Sequence, residues 1–291
     1  MAVARIEEVL AEAERSLKGW GRLALCQIVR AEGSTPGKIG WKLIVRPDGT
    51  SAGNLGGGAF EGLVRSDAAA KLASGSDSEI KRYYFTEEAV KGEPTGMVCG
   101  GMAEVFLEVL HAAPLLVICG GGPVGQALAR AAVLAGFDLL VTDDREEFRR
   151  PELFPAGSEI ASVDRDYAGD FLAPFSRRDL FVAIVSRCWE TDTAALAAVL
   201  RAAPPHLRYL GLMGSRRKIQ RVRAEVAARG HDLSRVALRA PIGLPIGGDS
   251  PGEIAISILA EMIRDRYDSP DSTPATGTTQ RREAVEQECL T

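Results

Sequence analysis

Residues 115–125 read LLVICGGGPVG: an unbroken apolar run from Leu115 to Cys119, then Gly120, Gly121 and Gly122, then Pro123, Val124 and Gly125. Consecutive apolar residues without alternation predict a strand buried on both faces, as in a parallel sheet covered by helices. Gly120, Gly122 and Gly125 give the spacing G-x-G-x-x-G between that strand and a helix, where free amides and the helix dipole can hold a pyrophosphate. Asp143 closes the next apolar run, 18 residues past Gly125, where a carboxylate would accept hydrogen bonds from an adenosine ribose diol and favour NAD over NADP. The alternative is that the glycines only make a tight strand-to-helix turn, with Asp143 or Asp144 capping a helix.

Downstream the rhythm continues. Apolar runs at Leu139–Thr142, Glu159–Val163, Leu180–Val185 and Arg208–Leu212 alternate with helical patterns at Val124–Ala135, Asp192–Ala202 and Arg216–Arg229, and a last helix runs from Pro251 to Tyr267. This predicts a Rossmann-like, doubly wound parallel sheet over residues 113–268. Asp249 or Ser250 is available to cap the last helix, with Pro251 in its first turn. Residues 269–291 are too polar to bury a face, which predicts a disordered tail.

Upstream, residues 1–112 read as a separate mixed α/β domain. Met1–Trp20 carries Glu7, Glu8, Glu12 and Glu14 among apolar residues, the pattern of an amphipathic helix and not of a signal peptide. Leu23–Val29 predicts a strand, Lys42–Arg46 and Thr50–Asn54 a hairpin about Pro47-Asp48-Gly49, Ala59–Ala73 a helix, and Ile80–Phe85 and Ala103–Leu110 two more strands. Glycine loops interrupt these elements at Gly33–Gly37, Gly56–Gly58 and Cys99-Gly100-Gly101.

The 35 basic and 39 acidic residues leave a formal net charge of -4, which supplies no global field for nucleic acid or an anionic membrane surface. No apolar run approaches the roughly 18 residues of a membrane span. Five cysteines without a CxxC pair argue against a disulfide framework and point to a reducing cytoplasm. No H-E-x-x-H or Walker pattern is present, and His111, His206 and His231 lie outside the glycine loops.

Three places carry candidate chemistry besides the fingerprint. Cys99, followed by Gly100 and Gly101, offers a soft thiolate on an open backbone, although an isolated cysteine also serves as a small buried hydrophobe. Gly56, Gly57 and Gly58 with Glu61 could cradle a flat anionic ligand, Glu61 accepting paired N–H groups from a pterin edge or acting as an ordinary first-turn carboxylate. Ser215 with Arg216, Arg217 and Lys218 opens a helix with cations that oppose its dipole, which invites a phosphate or leaves a solvated basic face.

From about Leu23 to Arg266 the chain resembles the XdhC/CoxI family of accessory factors for xanthine dehydrogenase and related molybdenum hydroxylases. The resemblance rests on Gly33-Ser34-Thr35-Pro36, Gly56–Gly58 with Glu61, Cys99-Gly100-Gly101, the Gly120 fingerprint with Asp143-Asp144-Arg145, Gly211–Arg216 and the block Pro241–Glu261. It implies an N-terminal XdhC/CoxI-type domain before the Rossmann-like one. It also implies a chaperone more than an enzyme: a protein that binds molybdenum cofactor as cargo, supports its sulfuration by a cysteine desulfurase, and inserts it into an apo-hydroxylase client. By the same likeness Cys99, with Gly100 and Gly101, becomes the candidate molybdenum contact, and Gly56–Gly58 with Glu61 a pterin-side wall. A homodimer is the default assembly. Two positions depart from the family pattern, which often places histidine where this chain has Pro123 and in the stretch that here reads Ser186-Arg187-Cys188-Trp189; Cys188 could serve there as a soft ligand or simply be buried. The competing readings are an NAD(P)-dependent oxidoreductase and a nucleotide-responsive scaffold without catalysis.

Overall fold

A computed structural model describes residues 6–74, 78–85, 93–94, 100–175 and 177–268. The chain divides between Ala113 and Pro114 into two compact units.

The N-terminal unit contains α1 (Ile6–Trp20), β1 (Arg22–Glu32), β2 (Lys42–Val45), β3 (Ser51–Gly53), α2 (Gly58–Ser74), β4 (Glu79–Tyr84), β5 (Glu93–Pro94) and β6 (Met102–His111). Its sheet runs β3-β2-β1-β6-β4-β5, antiparallel except between β4 and β5. Side chains alternate across β1, so the strand serves two layers. Ala24, Cys26 and Ile28 join Phe60, Val64, Ala68 and Leu72 of α2 in one core, whereas Leu23 packs with Val9 of α1 and Ile44 in another. Phe60 meets Tyr83 and Phe85 edge-on, with ring centroids 5.4 and 5.1 Å away.

The C-terminal unit contains β7 (Leu115–Cys119), α3 (Pro123–Leu134), β8 (Asp138–Asp143), β9 (Glu159–Ser162), β10 (Leu180–Ile184), α4 (Trp189–Ala202), β11 (Leu207–Leu212), β12 (Leu238–Arg239) and α6 (Pro251–Asp268), with α5 (Arg216–Ala228) between β11 and β12. The sheet order β12-β11-β10-β7-β8-β9 is parallel throughout and reverses direction of travel between β7 and β10. That is the expected doubly wound arrangement, with its switch point beside the glycine fingerprint. Every residue of β7 and of β10 is buried, because helices cover both faces: α4 and α5 one, α3 and α6 the other.

Sequence and structure differ in detail. The short β12 adds a sixth strand, and α4 begins at Trp189, three residues before the expected Asp192. Ser250 provides the cap of α6 as a reciprocal pair, its Oγ accepting from the Glu253 amide at 3.3 Å and its own amide donating to Glu253 Oε2 at 3.0 Å. The expected disordered tail at residues 269–291 lies outside the described residues. Among the described residues no helix is long and apolar enough to cross a membrane.

Candidate functional site

In the N-terminal unit three glycine loops far apart in sequence converge. Gly33–Gly37 lies between the other two. At one end Ser34 bridges to Gly100, and a Cβ on Gly33 would stand 3.0 Å from Gly101 Cα. At the other, a Cβ on Gly37 would run into the Leu55 carbonyl oxygen and one on Gly56 would stand 2.5 Å from the Pro36 carbonyl carbon. Gly100 is further fixed by its amide donating to Phe85 O at 2.9 Å, while the Phe85 amide donates to Gly101 O at the same distance.

Glu61 shapes the middle loop. Its Oε2 accepts from the amides of Leu55 at 3.0 Å and Gly57 at 3.3 Å, so at least one carboxylate oxygen is engaged by its own loop. Asn54 Oδ1 takes the intervening Gly56 amide at 2.6 Å. These contacts hold Gly56, Gly57 and Gly58 in three successive positive-φ conformations, 116°, 74° and 64°, which residues with a Cβ rarely adopt. Among the described residues, no atom beyond the neighbouring backbone lies within 4 Å of where a Cβ would stand on Gly57, Gly58 or Gly100, so these positions present bare backbone. Cys99 lies outside the described residues.

The packing at Gly101 gives a direct test of this convergence. Its Cβ would stand 2.6 Å from Glu32 O and closer still to Ser34 O, both backbone atoms that cannot swing aside. Gly101→Ala is expected to cost about 2 kcal/mol or more, as overpacking does. Thermal unfolding measures this, and an unchanged midpoint would contradict the close approach.

In the C-terminal unit the three fingerprint glycines play different parts. Gly120 faces the end of β10, where a Cβ would stand 2.9 Å from Ser186 Cα; Gly125 packs against the Gly120 carbonyl; Gly122 faces open space at the start of α3. Asp143 is buried and joins them, its Oδ2 accepting from the Gly121 amide at 2.8 Å. Arg145 pairs with the same carboxylate at 3.0 Å and lies over the Phe148 ring, 3.8 Å from its centroid. Arg187, after β10, pairs with Asp144 through two contacts of 3.0 Å.

Ser215 caps α5 by accepting from the Lys218 amide at 3.3 Å, and Arg216 and Arg217 are exposed beside it. The third cation of that expected basic cluster is turned inward. Lys218 Nζ stands 2.5 Å from Asp192 Oδ2, because Asp192 is 0% exposed and needs a counter-charge. Ser186 Oγ donates to the other Asp192 oxygen at 2.5 Å, and Lys218 also donates to Ser186 O at 3.4 Å. Burial raises the Asp192 pKa, while Lys218 and Ser186 work against that rise.

Cys188 is half-buried at the cap of α4 with its Sγ 3.2 Å from Thr191 Oγ1. Burial pushes the Cys26 and Cys119 thiols up to about 12, so neither is a thiolate at neutral pH. The block Pro241–Glu261 is tied to α6: Glu261 Oε2 accepts from Tyr209 Oη at 2.5 Å and from the Gly243 amide at 2.9 Å. A cavity of about 620 Å³ opens at the other end of the sheet, lined by Val199, Pro204, Leu207, His231 and Val236, and contains none of the sequence-predicted site residues. Among the described residues no group of three His, Cys, Asp or Glu is placed to hold a metal ion.

Comparison with known proteins identifies the family. The profile described as the XdhC Rossmann domain matches residues 116–262, and that of the XdhC and CoxI family matches residues 17–84. The chain belongs to the XdhC/CoxI family. Two curated relatives are similar to it: the uncharacterized protein YqeB of Escherichia coli strain K12, 34% identical over 249 residues, and a probable xanthine dehydrogenase subunit of Bacillus subtilis strain 168, 28% identical over 162 residues. These alignments cover 85% and 56% of this chain but 44% and 46% of those proteins, so the chain spans less than half the length of either. A solved structure described as a xanthine dehydrogenase from Bacillus halodurans is 23% identical, with a TM-score of 0.48, over 91% of this chain and 98% of that one. Of the residues whose contacts shape these loops, the sequence points to the glycines, Asp143 and Ser215. It did not single out Asp192 or the pairing of Arg145 and Arg187 with consecutive aspartates, although Asp143-Asp144-Arg145 already carried that signal.

Proposed function

We propose that this XdhC/CoxI protein is a maturation factor that binds molybdenum cofactor, holds it while a cysteine desulfurase sulfurates it, and delivers it to a xanthine dehydrogenase-type hydroxylase. The observation that carries this reading is the convergence of Gly33–Gly37, Gly56–Gly58 and Gly100-Gly101, which among the described residues leaves bare backbone at Gly57, Gly58 and Gly100. A planar pterin can approach backbone closely only where no Cβ intervenes, and a labile metal–dithiolene cargo benefits from a fixed wall. Glu61 and Asn54 hold that wall in shape, and Cys99, adjacent in sequence to Gly100, supplies the soft ligand for molybdenum. Family membership and the name of the Bacillus subtilis relative support the choice of client. The test is activation of a purified apo-hydroxylase by isolated molybdenum cofactor and a cysteine desulfurase. Addition of this chain is expected to raise the rate and final extent of activation, and an identical time course without it contradicts delivery.

A second ligand belongs to the C-terminal unit. The fingerprint turn, Gly122 facing open space at the N-terminus of α3 and the adjoining switch point support nucleotide binding there, as a regulator of cargo handling or as the cofactor of an oxidoreductase.

A further inference from the structure

In a doubly wound nucleotide site, the end of the second strand is where the adenosine ribose is read. Here that position is Asp143, and its carboxylate has no acceptor left to offer. Oδ2 accepts from the Gly121 amide at 2.8 Å and from Arg145 Nη2 at 3.0 Å. Oδ1 accepts from the Arg145 amide and from Arg145 Nε, both at 3.0 Å. A carboxylate provides about four acceptor positions, and four donors fill them. A ribose diol would have to displace Arg145 and leave a guanidinium unpaired beside a buried carboxylate.

The group that faces outward is the cation. The Asp143 side chain is 3% exposed, the Arg145 side chain 26%, and Nε and Nη2 are the nitrogens spent on the ion pair. Stacking on Phe148 holds the guanidinium flat at 3.8 Å from the ring centroid, which limits the entropy lost when it takes an anion. Asp144 is neutralised in turn by Arg187, so neither acidic residue after β8 repels a phosphate as a bare carboxylate would.

An independent observation lies in the same segment. The Phe148 carbonyl closes against Gly121 of the fingerprint loop, and the next residue, Arg149, has a buried Nε with no hydrogen-bond partner among the described residues. A buried guanidinium nitrogen left unsatisfied is costly unless an acceptor arrives.

We propose that the fingerprint loop of the C-terminal unit takes an adenine dinucleotide carrying a 2′-phosphate in preference to one with a free ribose diol, and that Arg145 is the residue that reads the phosphate. The inference rests on the nucleotide reading above and reverses the NAD preference that Asp143 alone suggests.

Calorimetric titration of the full chain with NADP and with NAD tests it, with 2′,5′-ADP and 5′-AMP as fragment competitors. NADP is expected to bind at least about tenfold more tightly than NAD, and 2′,5′-ADP to displace it more readily than 5′-AMP. In Arg145→Gln the ratio should fall to about one or below, as the phosphate loses its cation and Asp143 regains acceptors; Arg145→Lys should lie between the two. Equal or tighter binding of NAD by the wild type would overturn the inference and leave nucleotide binding intact. Binding of neither dinucleotide by a cooperatively folded chain would overturn both. An unchanged ratio in a folded Arg145→Gln variant would remove Arg145 as the reader.

Discussion

Lys218→Met is expected to destabilise the protein by about 3–5 kcal/mol at neutral pH, although it removes only one partly exposed side chain. The reason is Asp192, fully buried, whose charge is balanced by Lys218 Nζ at 2.5 Å and by a hydrogen bond from Ser186. Without the cation the carboxylate must either stay charged in a dry interior or take up a proton. Burial already raises its pKa against the pull of Lys218, and the substitution raises it further. The sign follows: a carboxyl whose folded pKa lies above its unfolded value binds more protons when folded, so stability is lost as pH rises through the folded value. The deficit of the variant should therefore be largest near pH 7.5 and shrink toward pH 4, near the ordinary carboxylate range. Adding Asp192→Asn should restore most of the loss at neutral pH. Urea unfolding at the two pH values checks this, and a deficit independent of pH and unrelieved by Asp192→Asn would contradict the pairing.

That ion pair also illustrates what could be read from the chain and what could not. The strands of the C-terminal unit were legible because burial on both faces writes itself as continuous apolar runs, and Leu115–Cys119 and Leu180–Ile184 are indeed wholly buried. The two-residue β12 has no periodicity to detect, and the start of α4 is not legible because Cys188 at its cap makes no side-chain capping bond that could mark the boundary. Loop glycines were visible as letters, but their meeting was not. Gly33 and Gly101 are brought together by the pairing of β1 with β6, and Gly37 and Leu55 by the pairing of β2 with both β1 and β3; the first of these joins residues so far apart that no local pattern encodes it. Lys218 looked like one cation of a phosphate site because its charge was visible and its burial partner, 26 residues earlier, was not.

Within the fingerprint, two glycines should respond in opposite ways. Gly125→Val would push a Cβ into the Gly120 carbonyl oxygen and to within 3.2 Å of Ile118 Cγ2, at the point where α3 crosses β7. Neither backbone can retreat, so the loss should be at least about 3 kcal/mol and the variant should accumulate poorly. At Gly122 a Cβ would meet no atom of the described residues within 4 Å beyond the neighbouring backbone, and φ is an ordinary -67°, so Gly122→Val is expected to lose only a weaker helix cap, about 1 kcal/mol or less. Its branched side chain would instead fill the space a pyrophosphate approaches, and nucleotide affinity should fall by about 100-fold or more. Thermal unfolding and dinucleotide titration of both variants separate the effects. A stable Gly125→Val would contradict the helix–strand contact, and an unaltered titration for Gly122→Val would show that the turn is structural only.

The proposed carriage of molybdenum cofactor on the glycine wall of the N-terminal unit, with Cys99 as the metal contact, is open to direct measurement. Anaerobic equilibrium binding tests it most directly: isolated molybdenum cofactor is mixed with the full chain, the protein is recovered by gel filtration, and molybdenum content and pterin fluorescence are measured beside Cys99→Ser. Near-stoichiometric retention by the wild type is expected, with a clear loss of molybdenum in Cys99→Ser and the fold unchanged; no retention by folded wild type would contradict cofactor carriage, and equal retention by the two proteins would remove the thiolate from the site.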